Sequence, residues 1–150
     1  MSDLKPSSIP DEKYFQHILT EINRVNDAMH GKSLTDLESD WELEHKVTRS
    51  LEIMGEVSNR ISAMGKKAFP ELPWRDMRNV RNRIVHQYFD LNYKIIFLIT
   101  RQELPTLKEQ IEKVLTTIRQ RQDKRMLLAK HDKPVLLQKL SQSNRKGLGM

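Results

Sequence analysis

The sequence predicts an all-α protein, an up-and-down bundle of four main helices with a short helical or flexible basic tail at its C-terminal end. Apolar residues recur at every third or fourth position, and no stretch alternates with the period of two that marks a strand. Charged residues make up 31% of the 150 residues, against five glycines and six prolines, so helix formers outnumber turn formers. A chain of this length can bury a core as one domain, which we expect over residues 1–120, with the tail at 121–150.

The first helix is predicted to begin at residues 10–12, because proline suits the first turn and acidic side chains suit the positive end of the helix dipole. It is expected to end at Gly31. Its apolar stripe consists of Tyr14, Ile18, Ile22, Val25 and Met29. For the next segment, Thr35 and Glu38 have the spacing of a capping box.

A long second helix is predicted from about Trp41. Its apolar stripe consists of Leu43, Val47, Leu51, Met54, Val57, Ile61 and Met64. Gly55 stands inside this helix, where glycine costs about 1 kcal/mol relative to alanine. Close approach of another helix would explain a glycine at this position.

A proline-bounded loop at 68–73 precedes a third helix, which is predicted from about Trp74 to a frayed end at residues 88–91. At 100° per residue its core face consists of Met77, Val80 and Ile84. The opposite stripe consists of Arg75, Asn79, Asn82 and His86. Such a stripe either faces solvent or forms a phosphate-binding surface.

The fourth helix is predicted to begin after Asn92 as its cap and to continue to about Arg121. Pro105 should break or kink it, because proline removes a backbone donor and clashes with the preceding turn. In the tail, Asp132 as cap and Pro134 in the first turn favour one more short helix.

Charge is distributed unevenly along the chain. The net charge is +6, yet residues 1–120 hold 18 basic and 18 acidic residues, whereas residues 121–150 hold eight and two. A basic tail fits a nucleic acid or an acidic partner, or it serves only solubility. The chain has no cysteine, its first residues lack a signal-peptide pattern, and its longest apolar run, 95–99, cannot span a membrane. We therefore expect a cytoplasmic protein without a membrane partner.

The segment 81–88 places Arg81, Asn82, His86 and Tyr88 within about two helical turns. Arginine matches phosphate oxygens with a rigid fork of donors, and an unperturbed histidine, with a pKa of roughly 6.5, exchanges protons near neutrality. These groups suffice to break a phosphodiester without a metal, with the ribose 2′-hydroxyl as nucleophile. The alternative is a solvent-exposed polar helix face whose histidine has no chemical role. No metal or cofactor is expected, because the other histidines lack ligand spacing and no glycine-rich phosphate loop is present.

The motif resembles the Arg-x4-His-x-Tyr signature of the HEPN superfamily, and specifically of its HepT branch. Residues 51–57 resemble the family's Gly-Glu helix, 70–74 its loop before the catalytic helix, and 104–107 its break in the last helix. The resemblance covers residues 10 to 118 and implies a HEPN-type helical bundle domain. It also implies a metal-independent endoribonuclease toxin, a shared cleft in a homodimer, and a nucleotidyltransferase antitoxin that adds AMP to Tyr88.

The resemblance and the chemistry together assign roles to five residues. Arg81 would hold the phosphate, His86 would transfer protons, and Asn82 would orient the imidazole or a phosphate oxygen. Tyr88 would be the AMP acceptor. Arg81 falls at the margin of the apolar face on the helical wheel, where an unpaired cation is costly, so Glu56 is its candidate partner.

A regular helix would separate Arg81 and His86 by about 140°. Either the helix ends or distorts near His86, or the site is completed across a symmetric dimer, which the resemblance favours. The alternatives to an RNA-cleaving toxin are a non-catalytic helical module that binds a nucleotidyltransferase or nucleic acid, and a structural bundle dimer without a ligand. Growth arrest on expression would distinguish a nuclease from either alternative.

Overall fold

The structure, a computed structural model, describes residues 10–87 and 90–147, with side chains for all of these except 86–87, 132–138 and 141–147. Most of the described residues are helical, which confirms the predicted fold class. The helices are α1 (Asp11–Met29), α2 (Leu34–Ser39), α3 (Trp41–Arg60), α4 (Ala63–Ala68), α5 (Trp74–Arg78), α6 (Val80–Ile84), α7 (Tyr93–Leu98), a π-helix (Ile99–Glu103) and α8 (Leu104–Gly147). Two short strands, β1 (Val85–Gln87) and β2 (Asp90–Leu91), stand between α6 and α7.

The chain divides into two compact units, Met1–Leu115 and Thr116–Met150. In the first unit α1 packs along α3, and every residue of the predicted α1 stripe is buried. Phe15 joins that core with no exposed surface and contacts the ring of Phe69 edge to face. The Asp11 carboxylate accepts hydrogen bonds from the backbone N–H and the hydroxyl of Ser62, at 3.0 and 2.5 Å, which fixes the start of α1 against the start of α4.

The capping box of α2 is not the predicted one. Ser33, not Thr35, is the N-cap, and its hydroxyl and backbone N–H exchange hydrogen bonds with Asp36 at 3.1 and 2.8 Å. Both spacings fit the capping-box pattern, and Gly31, with a φ of +69°, turns the chain early enough for Ser33 to cap. The prediction was therefore shifted by two residues.

The long helix α3 begins near the predicted position and ends earlier than predicted. The Asp40 carboxylate caps it by accepting from the backbone N–H groups of Glu42 and Leu43. The helix ends at Arg60, and Met64 lies in α4 with 81% of its surface exposed, so its place in the core stripe was wrong. Ser62 begins α4 by accepting from the Gly65 N–H, which accounts for the break.

The predicted third helix is two short helices and a hairpin. Asn79 interrupts it between α5 and α6, and α6 ends at Ile84 rather than at residues 88–91. The Asn92 N–H donates to the Ile84 carbonyl oxygen at 2.7 Å, so a residue eight positions later ends the helix. The predicted core face was right, because Met77, Val80 and Ile84 are all buried.

The helix after the hairpin begins as predicted, with the Asn92 side chain accepting from the Ile95 N–H at 3.2 Å. Pro105 does not break it. The backbone instead widens into the π-helix directly before α8, which is one way a helix accommodates a missing donor. Within the π-helix, Arg101 donates to the backbone carbonyls of Met29 and Lys32, which joins it to the turn after α1.

The second unit is helical throughout its described residues. Helix α8 continues through residues 132 and 134, so the prediction of a separate short helix with Asp132 as cap was wrong. Met126, Leu127 and Leu128 on this helix are more than half exposed. No helix in the described part of the chain is both long and apolar enough to cross a membrane.

Candidate functional site

Gly55 allows α5 and α6 to approach α3 closely, as the sequence predicted. A Cβ atom at this position would lie 2.9 Å from the Met77 carbonyl oxygen and 2.9 Å from the Val80 side chain. Both distances are shorter than ordinary van der Waals contacts, so an added side chain would force α5 and α6 to shift. This approach sets α6, which carries Arg81 and Asn82, beside the middle of α3.

Arg81 and Asn82 are both exposed and line one open cleft of about 690 Å³. The described residues that line it are Glu44, His45 and Glu52 of α3, Arg81 and Asn82 of α6, and Val85, Asp90, Leu91 and Tyr93 around the hairpin. Arg81 is the one Lys or Arg among these described residues, and three of the others are carboxylates. Within the described lining, Arg81 is therefore the one guanidinium or ammonium group that attracts an anion, and the three carboxylates oppose binding elsewhere in the cleft.

The end of α6 changes the geometry of the motif. His86 lies in β1, whose residue Val85 pairs with Leu91 and whose residue Gln87 pairs with Asp90, with an irregular register between them. The separation of about 140° on a regular helix therefore does not apply, because the backbone is extended from Val85 onward. The side chain of His86 and the whole of Tyr88 lie outside the described residues.

Glu56 lies near Arg81 but does not pair with it. The two residues line a smaller cleft of about 180 Å³ that adjoins the main one. Among the salt bridges of the described residues, Glu56 contacts Arg49, at 4.0 Å, and none joins it to Arg81. Arg81 is exposed rather than marginal to the core, so it needs no carboxylate to offset burial.

The next arginine of the motif region has a different environment. Arg83 donates two hydrogen bonds to the Glu103 carboxylate, at 2.8 and 2.7 Å, and so joins α6 to the π-helix. These bonds raise the pKa of Arg83 above its usual value. The helical wheel of residues 74–88 could not predict this contact, because Glu103 is 20 residues away in the sequence and its position depends on the π-helix.

His45 lies in the cleft, although the sequence predicted no role for it because it lacks metal-ligand spacing. Its Nδ1 lies 2.8 Å from the Trp41 carbonyl oxygen and 2.8 Å from Glu44 Oε2, and its ring stands edge to face with Trp41 at 5.3 Å. Both neighbours accept hydrogen bonds, so a proton on Nδ1 satisfies both contacts. Their seven-residue spacing puts His45 and Glu52 on one face of α3. The sequence of α3 alone does not predict that this face lies beside α6.

Among the described residues, no group of three or more His, Asp and Glu side chains is arranged to hold a metal ion.

The structure divides the polar stripe predicted for the third helix. Arg75 lies on α5 and lines a different pocket from Asn82, because Asn79 interrupts the helix between them.

Comparisons with known proteins agree on one family. The family model described as "Ribonuclease HepT-like" matches residues 18–114. A "Putative RNase" of Caldanaerobacter subterraneus subsp. tengcongensis is 31% identical over 102 residues, which cover 68% of this chain and 91% of that protein. A "Probable ribonuclease HepT" of Thermococcus cleftensis is 30% identical over 101 residues, or 67% of this chain and 92% of that protein. No solved structure matches. The chain belongs to the HepT-like ribonuclease family.

Proposed function

We propose that this protein is the ribonuclease toxin of a toxin–antitoxin pair and cleaves RNA without a metal ion. The observation that carries the proposal is the position of Arg81 and Asn82. Both are exposed in the open cleft, five and four residues before the motif histidine, and Arg81 takes part in none of the salt bridges among the described residues. A guanidinium without a salt-bridge partner among the described residues is available for a phosphate.

The proposed reaction is an internal transesterification. His86 removes the proton of a ribose 2′-hydroxyl, and the 2′-oxygen attacks the adjacent phosphorus. The bond to the 5′-oxygen breaks, that oxygen takes a proton, and the strand is left with a 2′,3′-cyclic phosphate. General acid–base catalysis of this kind contributes typically 10²–10⁴-fold.

The other motif residues hold the reacting groups. Arg81 stabilises the charge that grows on the phosphate oxygens, and Asn82 orients the imidazole or one of those oxygens. Glu56 supports this arrangement from the adjoining cleft, as a neighbour rather than an ion-pair partner of Arg81.

The active species is proposed to be a homodimer in which both motifs line one cleft. Because α6 ends before His86, helix geometry does not separate the side chains of Arg81 and His86. The dimer proposal therefore rests on family resemblance. Mixing inactive Arg81→Ala and His86→Ala chains tests it. Partial recovery of cleavage supports a composite site, and activity of a monomer at nanomolar concentration contradicts it.

The antitoxin is proposed to be a nucleotidyltransferase that transfers AMP to the Tyr88 hydroxyl. The added phosphate carries about one negative charge, which would compete with RNA for Arg81. Tyr88→Phe keeps the ring and removes the acceptor oxygen, so this variant should stay toxic and unmodified when the antitoxin is co-expressed. Full silencing of Tyr88→Phe without a mass increase would show inhibition by simple masking.

Cleavage of a labelled oligoribonucleotide in EDTA tests the activity. We expect cyclic phosphate products from the wild type and a loss of about 10²-fold or more in His86→Ala. His45→Ala is the matched control, because it removes the other imidazole near Arg81, and it should retain most of the activity. If His45→Ala is inactive and His86→Ala is active, the proton carrier has been misassigned. If the wild type binds RNA or a nucleotidyltransferase but neither cleaves nor arrests growth, the non-catalytic module is the better interpretation.

A further inference from the structure

A second pocket, of about 230 Å³, lies where the ends of α3, α4 and α5 meet. The described residues that line it are Ser58, Asn59, Lys66, Trp74, Arg75 and Arg78. Half of them are cations and none is acidic, in contrast to the cleft at Arg81, where carboxylates outnumber the single guanidinium. This pocket is therefore the more favourable of the two for an anion.

None of the three cations of the pocket forms a salt bridge with a carboxylate of the described residues. Salt bridges among the described residues involve Arg24, Arg49 and Arg83, but not Lys66, Arg75 or Arg78. Like charges around one concave surface repel each other and produce a positive potential that concentrates anions. A bound phosphate would relieve that repulsion.

Trp74 gives the pocket an aromatic wall in a fixed position. Its indole N–H donates to the Phe69 carbonyl oxygen at 2.9 Å, and its ring stands edge to face with Phe15 at 6.1 Å. Lys66 Nζ lies 6.0 Å from the ring centroid. A half-buried indole held at its polar edge suits the stacking of an unpaired base, and duplex bases are not available for such stacking.

The pocket is connected to the proposed active site by shared walls. Asn59 and Arg78 also line the cleft of about 180 Å³, and that cleft shares Glu52 and Arg81 with the main cleft. The three depressions thus follow one another along α3 and α5–α6. Arg75, Arg78 and Arg81 recur at intervals of three residues beside this path.

We propose that this pocket binds a phosphate and an unpaired base of the RNA strand upstream or downstream of the cleaved bond, as a substrate subsite. The inference rests on the proposed function. The strand is single, because Trp74 must stack on an exposed base.

Binding of uncleavable 2′-O-methyl oligoribonucleotides tests the subsite independently of cleavage. The Arg75→Ala/Arg78→Ala double variant should weaken binding of a strand of about eight nucleotides by about tenfold, and weaken a dinucleotide much less. The slope of log Kd against log salt concentration should fall by about 0.7 for each phosphate that the variant no longer neutralises. Lys46→Ala/Lys113→Ala is the control, because it removes two exposed cations that do not line the pocket.

A second readout reports on the aromatic wall. The chain has two tryptophans, so Trp41→Phe leaves Trp74 as the single indole, and binding of the long strand should quench its fluorescence. Equal losses for the pocket and control variants, or an unchanged Trp74 signal, would overturn the inference. Displacement of the strand by an equal concentration of inorganic phosphate would also overturn it, since the site would then take a free anion. If these oligonucleotides bind as expected while RNA is not cleaved, the subsite stands and the nuclease proposal fails.

Discussion

Two arginines on one five-residue helix have opposite surroundings. Arg81 is exposed in an open cleft and forms no salt bridge with the described residues. Arg83, in contrast, donates two hydrogen bonds to Glu103. Arg83 joins α6 to the π-helix, so its hydrogen bonds stabilise the fold. Arg81 has no salt-bridge partner among the described residues, and we propose that its donors serve a ligand. One side of α6 therefore contributes to the fold, and we propose that another side contributes to recognition.

Replacing Arg81 should produce the largest effect on activity. Arg81→Ala should lower kcat by about 10²-fold or more, because removal of one donor to developing charge typically costs this much. Arg81→Lys should recover part of the loss, since lysine keeps the charge but lacks the fork. The free energy of unfolding should change by less than about 0.5 kcal/mol, as for an exposed residue.

Single-turnover cleavage and urea denaturation of each variant measure the two effects separately. A stability loss that matches the activity loss would show that Arg81 belongs to the fold, and the contrast with Arg83 would then fail.

Filling the space at Gly55 should have the next largest effect, this time on stability. Gly55→Ala gains about 1 kcal/mol in helix propensity but places a Cβ 2.9 Å from the Met77 backbone oxygen, and such overpacking costs about 1–3 kcal/mol. We expect a net loss of about 1 kcal/mol in urea denaturation, together with slower cleavage because α6 is displaced from α3.

Lys46→Ala, an exposed position on the same helix, is the control and should leave both quantities nearly unchanged. A more stable Gly55→Ala protein would mean that α5 and α6 shift away at little cost.

The Gly55 contact shows what the sequence could predict. A glycine inside an apolar stripe, the stripe of α1, the core face of α5–α6 and the cap at Asn92 follow from local spacing and local hydrogen bonds, and all were confirmed. Helix ends were harder. The sequence around Ile84 contains no proline or glycine to stop a helix, and the end depends on the backbone of Asn92.

The site was predicted only in part, for a related reason. Motif residues can be recognised from their spacing, but other residues that line the same cleft come from other helices. His45 reaches the cleft because α3 packs beside α6, and Arg83 finds Glu103 across a π-helix that periodicity does not indicate. The pairing proposed for Arg81 and Glu56 assumed a regular helix and a buried arginine, and neither holds.

A double-mutant cycle on Arg83 and Glu103 should show a smaller effect. The pair is about one-third exposed, so we expect a coupling free energy of about 0.5–1 kcal/mol rather than the value of a buried pair. The folded-state pKa of Arg83 is raised, so its contribution is present below the unfolded pKa and is lost only as pH rises through the higher folded value. The coupling should therefore be the same at about pH 6 and about pH 8. A coupling near zero would show that the hydrogen bonds do not stabilise the fold, which removes the distinction from Arg81.

The smallest effect should come from Asp36, a paired charge at the protein surface that does not line the cleft. Hydrogen bonding from the Ser33 backbone N–H, and then from its side chain, lowers the pKa of Asp36. A lowered folded-state pKa means that the stabilisation is present above the unfolded pKa and is lost as pH falls through the folded value. The stability difference between wild type and Asp36→Asn should thus be present at about pH 6 and should shrink as pH falls below the unfolded pKa of about 3.9. Glu38→Gln removes a neighbouring charge outside the capping box and should show no such dependence. Cleavage should be unchanged in Asp36→Asn, because this charge acts on the start of α2 and, like Arg83, already has its partner.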